Sequence, residues 1–553
     1  MTTQTFDHVV IGAGSAGGVL AARLSEDPST RVLLIEAGGS HRQPLISMPA
    51  GWGKTIHWSR CAWLYQTEPE PAAAGRRVRL PRGKVLGGSS SINGMLYVRG
   101  HRLDFDRWAQ QGAAGWSWRD MLPYFVRSED QARLEGPLHG RGGPLAVEDL
   151  PAVHPLTRAM VEAAQQSGLA WRDDFNDGEN EGCGMPQVNV RAGRRNAIAV
   201  GAIEPALRRP NLSLASGALA TRILLEGRRA VGVRYRQGGR ELEARVRGEV
   251  LLCGGAINSP QLLMLSGIGP AAPLRALGIE PHHALEGVGA NLHDHCVVAM
   301  TWRCRRGVRS LNEELHGWRM LRSALQYQLA RRGALVSPAS EFVCFLKSDA
   351  AQTHADIQVH GLPISGDVEA TVVRGENLGP ERFAGFTMAP CQLRPHSRGE
   401  LRLRSVDPAE PPMIRMNYLA DERDRQALLV GMRWVRRMAA QPALASMIEA
   451  ETRPGDGRDS DAELLDYAAN CLSSGHHAAG SCRMGGADDE LAVVDPQLRV
   501  RGIDGLRVAD ASVMPSIVSG NTNAICVAIG EKCADLVRGR PPPQPLDLRD
   551  EPA

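Results

Sequence analysis

The sequence predicts an α/β protein of at least two lobes, and three observations carry that expectation. Residues 8–17, HVVIGAGSAG, end an apolar run in a glycine turn; the helical pattern GGVLAARLSED follows at once, and RVLLIEAG supplies a second apolar strand. Far downstream, GELRLRS (399–405) alternates as a half-exposed strand, HADIQVHGLP reads as another, and RQALLVGMRWVRRMAAQP (425–442) has helical spacing. The chain has 553 residues, beyond the size at which one core keeps growing.

The first strand and helix are joined by Gly12, Gly14 and Gly17 in the pattern G-x-G-x-x-G, with Ser15 and Ala16 between the last two glycines. Glycines let such a turn be tight and let backbone approach a pyrophosphate. The helix N-terminus adds N–H donors and a partial positive charge. The second strand ends at Glu36-Ala37, and an acid at that place grips ribose hydroxyls. Strand, helix, second strand and terminal acid together point to a Rossmann-like dinucleotide site rather than a plain glycine-rich turn. An acid instead of an arginine at 36 disfavours a 2′-phosphate, so FAD or NAD is preferred to NADP.

Composition narrows the class. Hydrophobic residues make up 43% and charged residues 23%, the balance of a soluble globular protein. The formal charge is +3 and the arginines are scattered, which gives no nucleic-acid footprint. The eleven cysteines are odd in number, widely spaced and without C-x-x-C. That argues against a disulfide framework or a zinc site and for a reducing, cytoplasmic setting. No basic n-region precedes the first strand, so no signal peptide is expected. The uncharged run from Val9 to Ala22 falls short of the roughly 20 apolar residues a spanning helix needs. Any membrane association would be peripheral, at the inner face. Residues 541–553 read as a proline-rich disordered tail, and 134–146 as a turn-rich surface loop.

Residues 79–100, RLPRGKVLGGSSSINGMLYVRG, crowd glycines and serines into a stretch with no helical or strand period. Such a loop can lie against a flat ligand, and the interleaved Leu86, Ile92, Met95 and Leu96 would pack rather than leave a flexible linker. Further on stand CGGAINSPQLLMLSGIGP (253–270), GVGANLHDH (287–295), GHHAAGSCRMG (475–485) and GLRVADASVMPSIVSGNTNAICVAIGEKCADLV (505–537). Together, in kind and order, these segments resemble the glucose–methanol–choline (GMC) flavin oxidoreductases, with the nearest look to bacterial choline-dehydrogenase-like and aliphatic-alcohol dehydrogenase members. The resemblance spans nearly the whole chain.

The resemblance implies the GMC fold. A discontinuous FAD-binding domain would take 1–155, 192–296 and 467–540, and a substrate-binding domain with an antiparallel sheet would take 156–191 and 297–466. It also implies cofactor contacts. Gly12, Gly14 and Gly17, with Ser15 and Ala16, would face the pyrophosphate; Glu36 and Ala37 would meet the adenosine ribose; Ala220 would meet adenine. Asn93, Gly94, Met95 and Leu96 would lie near the isoalloxazine ring, with Val85 and Gly88 as further cofactor-binding positions. Asp510 and Ala511 would reach the ribityl–pyrophosphate region, and Thr522 and Asn523 the pyrimidine edge. Members with covalent flavin carry histidine where this chain has Ile92, so the FAD here is expected to be non-covalent.

Flavin alcohol oxidation sends a hydride to flavin N5 and a hydroxyl proton to a base, and a second polar group must hold the oxygen. A neutral imidazole suits the first task. In relatives the catalytic histidine stands at a fixed distance before Gly-Thr-Cys-basic-Met-Gly, and Gly480-Ser481-Cys482-Arg483-Met484-Gly485 sets that frame here. His477 then falls on the base and His476 on the usual tyrosine. Asn521 falls on the oxygen-orienting position; the alternative for it is a helix cap. His476, Trp63 and Glu341 are the substrate-side candidates, with packing the alternative for the first two and a structural pair the favoured role for Glu341. Imidazole at 476 is a poor cation–π partner, which argues modestly against choline. His293-x-His295 has no third ligand nearby, so no metal site is expected. The expected reaction is a primary alcohol to an aldehyde, with electrons passed to a quinone or another non-oxygen carrier. An O₂-using oxidase, or a lyase or decarboxylase on the same scaffold, is the alternative.

Overall fold

The structure is a computed structural model that describes residues 4–367, 371, 379–544 and 546; the expected tail falls largely outside them. The N-terminal unit is as the sequence predicts: strand Gln4–Ile11, helix Ser15–Leu24, strand Val32–Glu36. These strands belong to a seven-stranded sheet. Its parallel part runs Leu212–Ser216, Val32–Glu36, Gln4–Ile11 and Arg240–Leu252, and Leu506–Val508 pairs with the end of the last of these. Arg229–Gln237 and Ala218–Glu226 extend it antiparallel from the start of the same long strand. Val9, Val10, Val32, Leu34 and Val250–Leu252 are fully buried, as strands covered on both faces require.

Helix Ser15–Leu24 packs against the last helix, Asn523–Val537, at backbone distance: a Cβ on Gly530 would sit 2.4 Å from Ala16 O. Arg23 and Arg127 both pair with the fully buried Glu531, so the two ends of the chain are locked at the turn that carries the glycine motif.

The second sheet is antiparallel throughout. It runs Ile448–Arg453, Met300–Cys304, Gly385–Gln392, Ile357–Leu362, Phe342–Leu346, Gly182–Gly184. The short strand Cys296–Val297 joins its flank and pairs in turn with Ser473–Ser474. The HADIQVHGLP strand lies in this sheet as Ile357–Leu362, and the helix expected at 425–442 runs Glu422–Ala439. The GELRLRS strand is three residues, Glu400–Arg402, in a two-stranded ribbon with Met413–Arg415.

One expectation is corrected. The stretch 79–100 is not wholly irregular, because Arg79–Gly83 is a strand paired with Ala62–Gln66. Pro81 inside it hides the signal, and a two-stranded ribbon tolerates a proline that a central strand would not. The apolar residues of the stretch do pack: Leu86, Ile92, Met95 and Leu96 are all buried.

Candidate active site

The glycine turn lies at the end of the first parallel strand, where ligands of α/β sheets bind. Beside it is a cavity open to solvent. Gly12, Gly14, Ser15, Ala16, Glu36, Ala37, Gly88, Ala220, Asp510 and Ala511 line it, ten of the expected cofactor residues. Gly12 has φ +102, and a Cβ there would lie 2.3 Å from Cys253 O; only glycine fits. Gly14 is the N-cap of helix Ser15–Leu24, and no side chain caps that end, so its N–H groups are left for an anion. Glu36 accepts from the N–H of Ala13 (3.0 Å) and of Gly38 (2.8 Å), and burial raises its pKa to about 7 against those two bonds. Asp510 accepts from Gly255 N–H, the Ser259 hydroxyl and Ser512 N–H, so its carboxylate braces the cavity wall.

Other expected positions stand apart from this cavity. Gly17 does not face it; a Cβ there would strike Gly12 O at 2.0 Å and Cys253 Cβ at 2.8 Å. It is the close-packing glycine between helix and strand. Val85 is buried with Ile46, Cys61, Ala62 and Ile92. Met95 (φ +68) packs with Val188 and Val190, and Leu96 with Val98 and Phe345. Asn93 Oδ1 accepts from Met95 N–H and from Arg195, and Gly94 abuts Ala339. Thr522 is the N-cap residue of the last helix, and Asn523 Oδ1 accepts from the Ser15 hydroxyl at 2.7 Å.

Trp63, a substrate-side candidate with packing as its alternative, stands on the cavity wall. It lines the large cavity opposite its cross-strand partner Arg82, with Lys84 Nζ 4.1 Å from its ring centroid. Glu341 takes the structural role favoured for it over a substrate contact. Its carboxylate accepts from His154 N–H (3.1 Å), Thr157 (2.8 Å) and Ser337 (2.8 Å), which ties it to the start of helix Pro155–Gln166. It is a structural brace with no cation beside it among the described residues.

The histidine centre lies where the two sheets meet. His476 has φ +64 and is half-buried; Ser474 Oγ accepts its N–H, and its carbonyl accepts from Arg82. That bend turns the two adjacent imidazoles apart. His477 N–H donates to Asp294 Oδ1 at 2.7 Å, and Asp294 Oδ2 also accepts from Ser474 and Tyr418. The ring of His477 is held at both ends: Nδ1 lies 3.0 Å from His295 Nδ1, and Nε2 lies 3.3 Å from Asn521 Nδ2.

The remaining nitrogen of His295 fixes the protons. Its Nε2 sits 2.8 Å from the Leu393 carbonyl, which only accepts, so Nε2 carries the hydrogen and Nδ1 is a lone pair. His477 must then donate through Nδ1–H, and its own Nε2 is left unprotonated, facing the Asn521 amide. Burial, with the imidazoles of His295, His476 and His360 and the Arg82 guanidinium, holds His477 well below the usual imidazole range. Burial, aided by Arg82 and His57, lowers His476 to about 4. Asn521 Oδ1 and His476 Nδ1 are buried without partners in the protein. The segment carrying Asn521 is pinned by Asp104, which accepts from Ser519 N–H and its hydroxyl. Asn521 therefore faces the base and does not cap the helix.

Three further residues meet the expected site side chains in the structure. Asp294 and His295 belong to HDH, weighed only as a metal pair; their signal was adjacency to one another in the 287–295 segment. Arg82, a half-buried guanidinium on the cavity wall within reach of the charges of Asp294 and Asp510, had its signal in PRGK.

Similarity to known proteins agrees with this geometry. The family model described as GMC oxidoreductase matches residues 6–297 with its N-terminal part and 395–530 with its C-terminal part. The chain is 41% identical to a protein named oxygen-dependent choline dehydrogenase from Brucella canis, over 97% of this chain and 96% of that one, and equally so to its namesake from Rhizobium etli. Among solved structures, pyridoxine 4-oxidase from Mesorbium loti is similar at a TM-score of 0.86 and 32% identity, over 97% and 99% of the two chains. A variant of formate oxidase from Aspergillus oryzae RIB40, described for its FAD modification, is similar at 0.90 and 29%, over 98% and 99%. Family matches across most of the chain, together with a glycine-built dinucleotide cavity beside a histidine–asparagine pair, show that this chain belongs to the GMC oxidoreductases, FAD enzymes acting on CH–OH donors.

Proposed function

We propose that this chain oxidises a primary alcohol to an aldehyde, with His477 Nε2 as the base that takes the hydroxyl proton. One observation carries the reading: the chain of bonds from Leu393 O through His295 to His477 leaves Nε2 as a lone pair, already addressed by an amide N–H. A hydroxyl entering between His477 and Asn521 donates to Nε2 and accepts from Asn521 Nδ2–H, so the oxygen is gripped as negative charge develops on it. The lowered pKa keeps His477 neutral, and hence able to accept, at ordinary pH.

The cavity fits FAD: glycines where backbone must come close, an uncapped helix N-terminus, an acid at the ribose position and an arginine on the wall. When bound, FAD supplies the acceptor for the carbinol hydride. Ile92, buried among apolar side chains, offers no group for covalent attachment. The electron acceptor after FAD is read as a quinone or another non-oxygen carrier. The relatives, named as oxygen-dependent dehydrogenases and oxidases, favour O₂ as the second reading.

For the substrate, a neutral alcohol is favoured over choline. His476 is a neutral imidazole, Arg82 is a nearby cation, and Glu341 is spent on a helix end. The choline dehydrogenase relatives favour choline as the second reading. The test is anaerobic mixing of the holoenzyme with choline, pyridoxine, benzyl alcohol and 1-octanol while flavin absorbance is followed. Bleaching by at least one alcohol is expected; no bleaching by any would sink the oxidation reading. His477→Ala should slow bleaching by about 10²–10⁴-fold with FAD still bound, and wild-type rates in that variant would refute the base. Stopped-flow reoxidation by air against a soluble quinone then separates the acceptors.

A further inference from the structure

We propose that the outward face of helix Gly317–Ala330 is a seat on an anionic lipid bilayer. The helix reverses the usual patterning. Its inward side is Ser323 and Tyr327, both buried, with Met320 packed towards Leu335 and Val336. Its outward side is Trp318, Leu321, Leu325 and Leu329, which are 67%, 73%, 58% and 77% exposed. Steps of three, four and four residues put all four in one stripe, about 16 Å long at 1.5 Å per residue. The other exposed large hydrophobic residues among those described, such as Leu64, Trp171 and Leu491, stand singly along the chain. Single ones need no explanation; a stripe does.

Charge chooses the occupant. Residues 305–332 hold seven arginines against two glutamates. Arg319 and Arg322 flank the stripe with their guanidiniums 5.8 and 5.7 Å from the Trp318 ring centroid, and they also reach Glu313 and Glu314. Arg331 and Arg332 follow the helix, and Arg305, Arg306 and Arg309 precede it. A leucine face with tryptophan at one end and arginines around it is the composition of a helix lying in the headgroup plane, and surplus arginine draws such a helix to anionic lipid. A second copy of the chain is the poorer occupant, because a two-fold contact through this stripe sets the arginine surplus of one copy against that of the other. The helix has 14 residues, too few to span. No helix among the described residues is long and apolar enough to cross a membrane, so contact is by this face.

The test is flotation of the holoenzyme with vesicles of phosphatidylcholine alone and of phosphatidylcholine with phosphatidylglycerol, with light scattering of the free protein alongside. Wild type is expected to float with the anionic vesicles and much less with the neutral ones. The triple variant Leu321→Ser/Leu325→Ser/Leu329→Ser should lower partitioning roughly tenfold or more. Arg319→Gln/Arg322→Gln should weaken binding to the anionic vesicles alone. Both variants should keep wild-type flavin content and wild-type bleaching by alcohol, since none of these residues belongs to the site. Wild type that floats with neither vesicle, or a triple variant that floats as well as wild type, overturns the proposal. Equal binding to both vesicles overturns the anionic choice. A leucine-dependent dimer with no vesicle binding assigns the stripe to a second copy instead.

Discussion

The cofactor cavity and the histidine centre adjoin one another but are made of different material. The cavity is shaped by backbone: Gly12 and Gly14 at the turn, Gly88 across from them, and side chains such as Glu36 and Asp510 that mostly hold main-chain N–H groups in place. The histidine centre is shaped by side chains that reach one another across the sequence, His295 to His477 over 182 positions and Asn521 to His477 over 44. A backbone-built site breaks when an atom is added. A side-chain-built site breaks when one is taken away or aimed elsewhere.

The largest expected effect is on the cavity, and two neighbouring glycines separate fold from ligand. Gly12→Ala combines a positive φ with a contact of 2.3 Å to Cys253 O, and a destabilisation of about 3 kcal/mol or more is expected, read as a fall in Tm and in soluble yield. Gly14→Ala is different. Its φ is −79, and the nearest atom to an added Cβ is Gly88 Cα at 4.0 Å, so the apoprotein should melt as wild type does. The methyl group would enter the cavity, and FAD affinity should drop roughly 10- to 100-fold, measured by flavin retention and titration. Equal Tm losses in the two variants would refute the division.

The next effect concerns the side-chain half. His295→Asn keeps an acceptor where Nδ1 stood, whereas His295→Gln keeps a donor towards Leu393 O and removes the acceptor. If His295 sets the tautomer of His477, the Gln variant should lose about 10- to 100-fold in the rate of flavin reduction with little change in KM, and the Asn variant should retain most of it. The Leu393 carbonyl cannot take up a proton, so the relay orients the base and does not drain it. Equal losses in both variants would reduce His295 to a packing residue.

The same division explains what the sequence could reveal. Glycine at 12 and acid at 36 are local necessities of one turn and one strand end, and they are visible in a short stretch. His477 was reachable because the rigid run Gly480–Gly485 sets its frame. His295 was not, because its meaning is a contact between two distant segments that only pairing of Cys296–Val297 with Ser473–Ser474 brings about. Glu341 shows the same limit from the other side: an acid interrupting an apolar stretch signals a structural role, but not that its partners stand at the start of helix Pro155–Gln166. Trp63 was legible only as a substrate-side candidate or a packing residue; its place on the cavity wall follows from strand pairing with Arg82.

The smallest expected effect is on stability, and it sharpens the contrast because the largest imidazole shifts cluster in the histidine half. Burial lowers His295, His360 and His476 each to about 4, His293 to about 3, and His477 well below the usual range. In the unfolded chain these imidazoles bind protons from about pH 6.5 downward. The folded protein does not bind them until much lower pH, so the unfolded state holds more protons in that window and stability falls as pH falls. Glu36 opposes this: its folded pKa is raised to about 7, so the folded state takes up a proton that the unfolded state refuses until about pH 4.3, and stability from that group grows on acidification. Glu70, Glu148, Asp294 and Asp510 are raised as well, but the lowered imidazoles, with His8, His41, His57, His101, His154, His283 and His396 among them, outnumber the raised carboxyls. The melting temperature should therefore decline by several degrees between pH 7.5 and pH 5, and His360→Asn, which removes one of the five groups, should flatten the slope. Because the base stays neutral through this range, flavin reduction by an alcohol should change far less than Tm does. A reduction rate that falls in parallel with a half-point near pH 6.5 would mean that His477 titrates normally and that the site is wetter than its geometry requires.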